Sequence, residues 1–230
     1  MVMAGTGRWP SRPGGWARSS AVRSLVAACA LGLVACRSTA PVRGAVHTAP
    51  TAGGTIVSAP ANAADVHFMS GMIPHHAQAV LIAGWAASHG ARADIVRLCE
   101  RIVVGQGDEI MLMQTWLRQK GAPVPDAKAT HMTMSMNGMQ HDMLMPGMLT
   151  PEQLAELDAA RGSKFDRLFL QAMIRHHQGA ISMVDELLGS DGAAQDDLVY
   201  KFASDVYADQ TTEISFMEKM LATIPTDSPR

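Results

Sequence analysis

The strongest constraint on the fold of this chain is that it carries one pattern twice. Phe68–Val80 reads FMSGMIPHHAQAV, and 101 residues on, Phe169–Ile181 reads FLQAMIRHHQGAI. Asp65 and Asp166, Met72 and Met173, Ile73 and Ile174, Ala79 and Ala180, and the doublets His75-His76 and His176-His177 all keep that offset. A second block, Gln106-x-x-Glu109-Ile110-x-x-Met113, returns as Gln210-x-x-Glu213-Ile214-x-x-Met217. Repetition on this scale means two copies of one supersecondary unit.

The unit is helical. Met69, Met72, His76, Ala79 and Ala83 recur at three and four over residues 63–89, the spacing of a helix stripe. Pro74 predicts a kink in that single helix, and Gly90 suits a helix C-terminal cap. A second helix is predicted over Asp94–Gln119, in which Ile95, Leu98, Ile102, Gln106, Glu109, Met113 and Trp116 align; Gly121, Pro123 and Pro125 stop it. Thr150-Pro151-Glu152-Gln153 is a helix start, with a threonine cap, proline at the first position and glutamine three after the cap. It opens one helix, or a short one joined to a longer one near Gly162, that runs to about Leu188. After the turn Gly189–Gly192, a last helix is expected over Ala193–Ala222, with Phe202, Val206, Gln210, Glu213, Met217 and Met220 on one stripe. No strand-like alternation of useful length stands out. Two related hairpins joined by a long crossover make an all-α four-helix bundle.

The bundle is expected over residues 63–222: a first hairpin at 63–120, a crossover at 121–150 and a second hairpin at 151–222, with a short tail at 223–230. Ahead of it, Arg8, Arg12, Arg18 and Arg23 precede the apolar run Ser24–Ala35, which reads as a secretory signal over residues 1–35. The run is shorter than the roughly 20 residues a bilayer span needs. Leu33-Val34-Ala35-Cys36 also resembles a bacterial lipobox, which makes Cys36 a candidate lipid anchor; the alternative is a plain cleaved signal. Residues 36–62, rich in Ala, Pro, Thr and Gly, suit a disordered tether. Without the signal the chain holds 15 basic and 21 acidic side chains, a net charge near −6. That argues against a nucleic-acid partner, which wants a basic stripe. Cys99 is then the one cysteine left besides Cys36, and it reads as a small buried hydrophobe.

Equal counts from the turn are level in an antiparallel pair. Measured from Gly90, His76 lies level with roughly residue 104, which brings Gln106 and Glu109 near Met72 and His76, and Met113 near Phe68. The same construction brings Gln210 and Glu213 near Met173, His176 and His177. An unpaired carboxylate on an apolar stripe is strongly disfavoured, so Glu109 and Glu213 need partners. One option is a His–Glu bond that fixes register. The other is a metal held by Met69, Met72, His75, His76, Glu109 and Met113 in one copy, and by Met173, His176, His177, Glu213 and Met217 in the other. Neighbours on a helix diverge by about 100°, so one histidine of each doublet is expected to point inward and the other toward a groove or the surface. A ferritin-type di-iron site wants Glu-x-x-His on two helices, and neither doublet has a glutamate three residues before it.

The crossover carries the strongest compositional signal. Residues 129–149, ATHMTMSMNGMQHDMLMPGML, hold seven of the chain's 17 methionines. Met132, Met134, Met136, Met139, Met143, Met145 and Met148 interleave with polar residues, beside His131 and His141. Thioether and imidazole ligands select soft metals such as Cu(I) and Ag(I), and imidazole also suits Cu(II). The alternative is an adaptable or oxidisable methionine-rich surface. The sequence holds no nucleophile elbow, phosphate loop or paired-carboxylate constellation.

The doubled M-I-x-H-H-x-x-A pattern with its paired Gln-x-x-Glu-Ile-x-x-Met segments resembles the bacterial family called domain of unknown function 305, over about residues 63–222. Arg175 stands where the family has proline, and Ala77 where glutamine is frequent. The resemblance implies a ferritin-like four-helix bundle, exported or lipid-anchored, with copper binding and copper tolerance in some members, and it points to Met72, His75, His76, Met173, His176 and His177 as motif residues. The expected function is sequestering or handing on copper in the cell envelope, to a copper-handling partner protein, with contact to the membrane by the lipid anchor alone. A metal-dependent oxidoreductase with a bundle-core site, or a purely structural bundle, are the alternatives.

Overall fold

The computed structural model describes residues 60–136 and 139–225. The expected signal, the Cys36 anchor and almost all of the tether lie outside those residues. Helix α1 (Ala63–Gly84) and helix α2 (Ala93–Gln119) form the first hairpin. The crossover folds into strands β1 (Met132–Met136) and β2 (Met139–Met143), then the short helix α3 (Pro151–Ala159). Helices α4 (Gly162–Leu188) and α5 (Asp197–Ala222) form the second hairpin. The all-α bundle of two repeated hairpins is what the repeat predicts.

Local chemistry sets the boundaries. Thr150 and Gln153 form a complete capping box: the Gln153 amide donates to Thr150 Oγ1 at 3.3 Å and the Thr150 amide to Gln153 Oε1 at 3.0 Å. The second hairpin's first helix restarts after Ala160, at Gly162. The last helix begins four residues later than its apolar pattern suggests. Asp196 caps it, accepting from the amides of Leu198 at 3.0 Å and Val199 at 3.4 Å. Helix α1 continues through Pro74 as one helix. His89 belongs to the core at the turn: its Nε2 lies 2.9 Å from the Asp158 carbonyl of α3, and its ring stacks on Trp85.

Helix α1 buries 15 of its 22 residues, so its partners must enclose it on several sides. It packs against α2, against α4 and against the crossover. The two inner helices, α1 and α4, run antiparallel, and each hairpin is tied to the turn of the other. Asp65, in the first turn of α1, accepts the Ala194 amide at 2.7 Å; Asp166, its repeat partner in α4, accepts the Arg92 amide at 3.2 Å. The apolar core falls into two clusters. One gathers Phe68, Met69, Met72, Met113, Met183, Val199 and Phe202; the other Ile82, Ile95, Leu98, Phe165, Phe169, Met173 and Met217. Between them lie the polar side chains of the repeated doublets.

The end of the crossover, residues 145–149, lies directly against α1 and α4. A Cβ added at Gly179 would meet the Pro146 carbonyl oxygen at 1.9 Å, and one at Gly147 would meet the Arg175 carbonyl oxygen at 2.4 Å. Backbone rests on backbone here, so only glycine fits. Gln78 holds the strap on the other side: its Nε2 donates to Leu149 O at 3.0 Å, and its Oε1 accepts the Leu149 amide at 2.7 Å.

A backbone neighbour cannot swing aside as a side-chain tip can. Gly179→Ala is therefore expected to lower the unfolding free energy by about 2–3 kcal/mol or more, read from urea denaturation. Gly107 of α2 has no atom within 4 Å of an added Cβ. Gly107→Ala is expected to raise the unfolding free energy by about 0.5–1 kcal/mol through helix propensity alone.

Candidate metal centre

The crossover is a two-stranded hairpin. Its sequence, M-T-M-S-M then Asn137-Gly138 then M-Q-H-D-M, carries the strongest short-range hairpin signal, which the absence of a useful strand pattern overlooked. The strands pair Met132 with Met143, Thr133 with Asp142, Met134 with His141, Ser135 with Gln140 and Met136 with Met139. Directly opposed residues share a face, and the face repeats every second residue. Positions 132, 134, 136, 139, 141 and 143 therefore lie on one face, five methionines and a histidine in three cross-strand rungs. The opposite face is polar, where Thr133 Oγ1 donates to Asp142 Oδ1 at 3.0 Å.

The seven crossover methionines divide. Met139 and Met143 are exposed and Met132 is half-buried against the core. Met145 and Met148 sit inside the bundle, where the Met145 amide donates to Met148 Sδ at 3.2 Å. His131 and His141 are exposed, and His131 Nε2 lies 3.5 Å from Asp142 Oδ1.

The doublets are arranged differently from the sequence expectation. All four histidines are fully buried; neither doublet sends a ring to the surface. The reason is the enclosure of the inner helices. His76 faces α2, while His75 faces α4 and the strap, so directions that diverge by about 100° both meet protein. His76 Nε2 lies 2.7 Å from Glu109 Oε2, and His177 Nε2 lies 2.7 Å from Glu213 Oε2. Glu109 lies beyond the residue level with His76. Helical side chains lean toward their own N-termini, so in an antiparallel pair the two lean toward each other and meet between their Cα positions. His75 and His176 meet at the centre, ring centroids 3.8 Å apart and planes tilted by 38°, and His75 Nε2 lies 3.0 Å from the Pro146 carbonyl.

These partners place a proton on one nitrogen of three rings. A carbonyl or carboxylate oxygen accepts, so Nε2 of His75, His76 and His177 donates. Each Nδ1 is buried and without a hydrogen-bond partner, and His176 has neither nitrogen partnered. Imidazoles that ligate metals are usually oriented this way, donating the other N–H to a carboxylate or carbonyl. Among the described residues, however, no three His, Cys, Asp or Glu side chains come together as a metal-binding group. Met69, Met72, Met113, Met173 and Met217 are all fully buried in the two apolar clusters. Cys99 is buried too, and burial pushes its thiol up to about 12.

Burial, reinforced by the neighbouring His76 and His177, pulls His75 down to about 3 against the Pro146 bond; burial first, then His75, holds His176 well below its ordinary range. Both stay neutral in the native state while their unfolded counterparts take up a proton near pH 6.5. The unfolded state thus binds more protons below that pH, and stability falls as pH drops from about 6.5 toward 3. Each of the two histidines contributes up to roughly a factor of ten in the folding constant per pH unit. Urea denaturation from pH 7 to pH 4 measures the slope, and His176→Asn is expected to make it shallower.

A protein-family model described as domain of unknown function (DUF305) matches residues 65–221. No curated protein matches the chain. Among solved structures, a DUF305 fragment from Deinococcus radiodurans is 27% identical, with a TM-score of 0.59 over 71% of this chain and 98% of the fragment. A DUF305 protein from Streptomyces coelicolor is 24% identical, with a TM-score of 0.59 over 73% of this chain and 97% of that one, and it supports the fold alone. CopM in its Cu(I)-bound form is 28% identical, with a TM-score of 0.52 over 69% of this chain and 95% of CopM; CopM is also solved with Cu(II) and with silver. By sequence and by fold, this chain belongs to the DUF305 family.

Proposed function

We propose that this chain is an exported copper-binding protein that sequesters Cu(I), or hands it to a copper-handling partner protein, in the cell envelope. The observation that carries the reading is the hairpin register. It gathers Met132, Met134, Met136, Met139, His141 and Met143 on one face, with Met139, His141 and Met143 exposed. Thioether sulfur prefers Cu(I) and Ag(I), and the imidazole of His141, with His131 nearby, adds affinity for Cu(II). The likeness to CopM, solved with Cu(I), Cu(II) and silver, supports the same metals. Copper here is cargo. An open and partly exposed ladder suits a metal that must be taken up and released, whereas a closed cage would retain it. Export through residues 1–35 and a lipid on Cys36 would hold the bundle at the membrane surface with no other membrane contact.

A second reading places a metal in the bundle core, as an oxidoreductase would need. The unpartnered Nδ1 atoms of His75, His76 and His177 favour it, with Met72 and Met173 as the thioethers of the same motifs. In that arrangement Glu109 and Glu213 orient the histidines. Under a purely structural role, His76→Ala and His177→Ala would lower the melting temperature by the same amount with and without copper.

The hairpin stands outside the helices, so it can be altered without touching the bundle core. Replacing Met134, Met136, Met139 and Met143 by leucine is expected to weaken Cu(I) binding by at least about tenfold, or ~1.4 kcal/mol. Competition with a Cu(I) chelator measures the affinity, and circular dichroism should show unchanged helicity. Wild-type affinity in the leucine variant would refute the assignment.

A further inference from the structure

Methionine serves opposite purposes in this chain, and solvent access separates them. Met69, Met72, Met113, Met173 and Met217 are fully enclosed in the bundle, and Met145 and Met148 are buried in its core. Among the described side chains, three methionines stand in solvent: Met139 at 62% exposure, Met111 at 58% and Met143 at 41%. Met139 and Met143 belong to the hairpin, whereas Met111 is on α2.

Exposure alone makes a thioether oxidisable and nothing more. The strand register adds the consequence. Met139 is paired with Met136 and Met143 with Met132, the outer rungs of the ladder, and Met134 with His141 forms the rung between them. Opposed residues on one face have Cβ atoms about 4.5–5.5 Å apart, so each accessible methionine shares its rung with a second one. A chemical change at Met139 and Met143 therefore reaches both ends of the ladder.

A thioether binds Cu(I) through sulfur, and the same sulfur attacks a two-electron oxidant such as hydrogen peroxide. A sulfur–oxygen bond forms and the peroxide O–O bond breaks. The departing hydroxide takes the proton from the new S–OH group and leaves as water. Sulfur gives up two electrons and peroxide gains them. The product is a polar sulfoxide, whose oxygen is a hard donor that Cu(I) does not favour. In the core this change would disrupt packing. At Met139 and Met143 it faces water. Oxidation is thus tolerated where the soft donors are, and methionine is shielded where packing needs it.

We propose that Met139 and Met143 form a reversible oxidation site that switches off Cu(I) binding by the hairpin while the bundle stays folded. This rests on the copper reading and gives that site its control. A sulfur bound to a metal is a poorer nucleophile, so metal and oxidant oppose each other: the bound ion shields the sulfur, and the sulfoxide turns the ion away. A methionine sulfoxide reductase, drawing on a thiol, restores the thioether, and exposed residues lie within such an enzyme's reach.

Hydrogen peroxide treatment of the metal-free, full-length protein tests this, with sulfoxides located by peptide mass mapping and Cu(I) affinity read by chelator competition. Sulfoxide is expected at Met139, Met143 and Met111 while Met69, Met72, Met113, Met173 and Met217 stay reduced. Helicity should be unchanged, and Cu(I) affinity should fall at least about tenfold. Met111→Leu should lose affinity on oxidation as the wild type does, and sulfoxide reductase with a thiol should restore it. Silver(I), which does not cycle with peroxide as copper does, should protect Met139 and Met143 but not Met111. Undiminished Cu(I) affinity after full oxidation of Met139 and Met143 would overturn the proposal and leave the copper reading standing. Oxidation of the buried methionines as fast as Met139 would overturn it as well. Untreated protein that binds no Cu(I) would sink both.

Discussion

Four imidazole rings buried at the middle of a helical bundle impose a demand that the rest of the structure answers for three of them, His176 being left without a hydrogen-bond partner. A buried polar group without a partner is destabilising, and each doublet brings two rings into the same layer. The outer helices answer for one ring of each doublet, through the Glu109 and Glu213 carboxylates at 2.7 Å. The crossover answers for His75 with the Pro146 carbonyl. That last bond requires the strap to lie against α1 and α4, which requires Gly147 and Gly179, which in turn places Met145 and Met148 in the core. The layer thus sets the register of both hairpins, and the path of the chain between them.

The crossover joins two different physical environments within a few residues. Up to Met143 it is a hairpin on which Met139 and Met143 are exposed. From Met145 to Leu149 it is a core strap, clamped by Gln78. The same residue type serves both because methionine is flexible, apolar and a soft ligand at once. Where it stands decides which property matters.

Much of this was legible in the chain. The repeat predicts two equivalent hairpins, the capping signature at Thr150 fixes a helix start, and the placement of Glu109 and Glu213 on apolar stripes calls for partners that the histidines supply. The hairpin in the crossover was also legible, in its Asn-Gly dipeptide flanked by alternating methionines, but a polar segment without a helical stripe reads easily as loop. The start of the last helix was misplaced by four residues, because apolar periodicity runs on into the turn whereas the Asp196 cap ends it. The roles of Gln78, Pro146 and Gly179 left no periodic trace; each acts through a single contact with a segment distant in sequence.

What the sequence by itself determined is the pair of helical hairpins, the family to which they belong, and the concentration of thioethers between them. Periodicity and repetition are local properties, written along the chain. What only the tertiary structure decided is which side of each histidine is covered, and which methionines face water. Both depend on a third body, the crossover strap lying across the two inner helices, and its position follows from backbone contact at two glycines that nothing nearby in sequence announces.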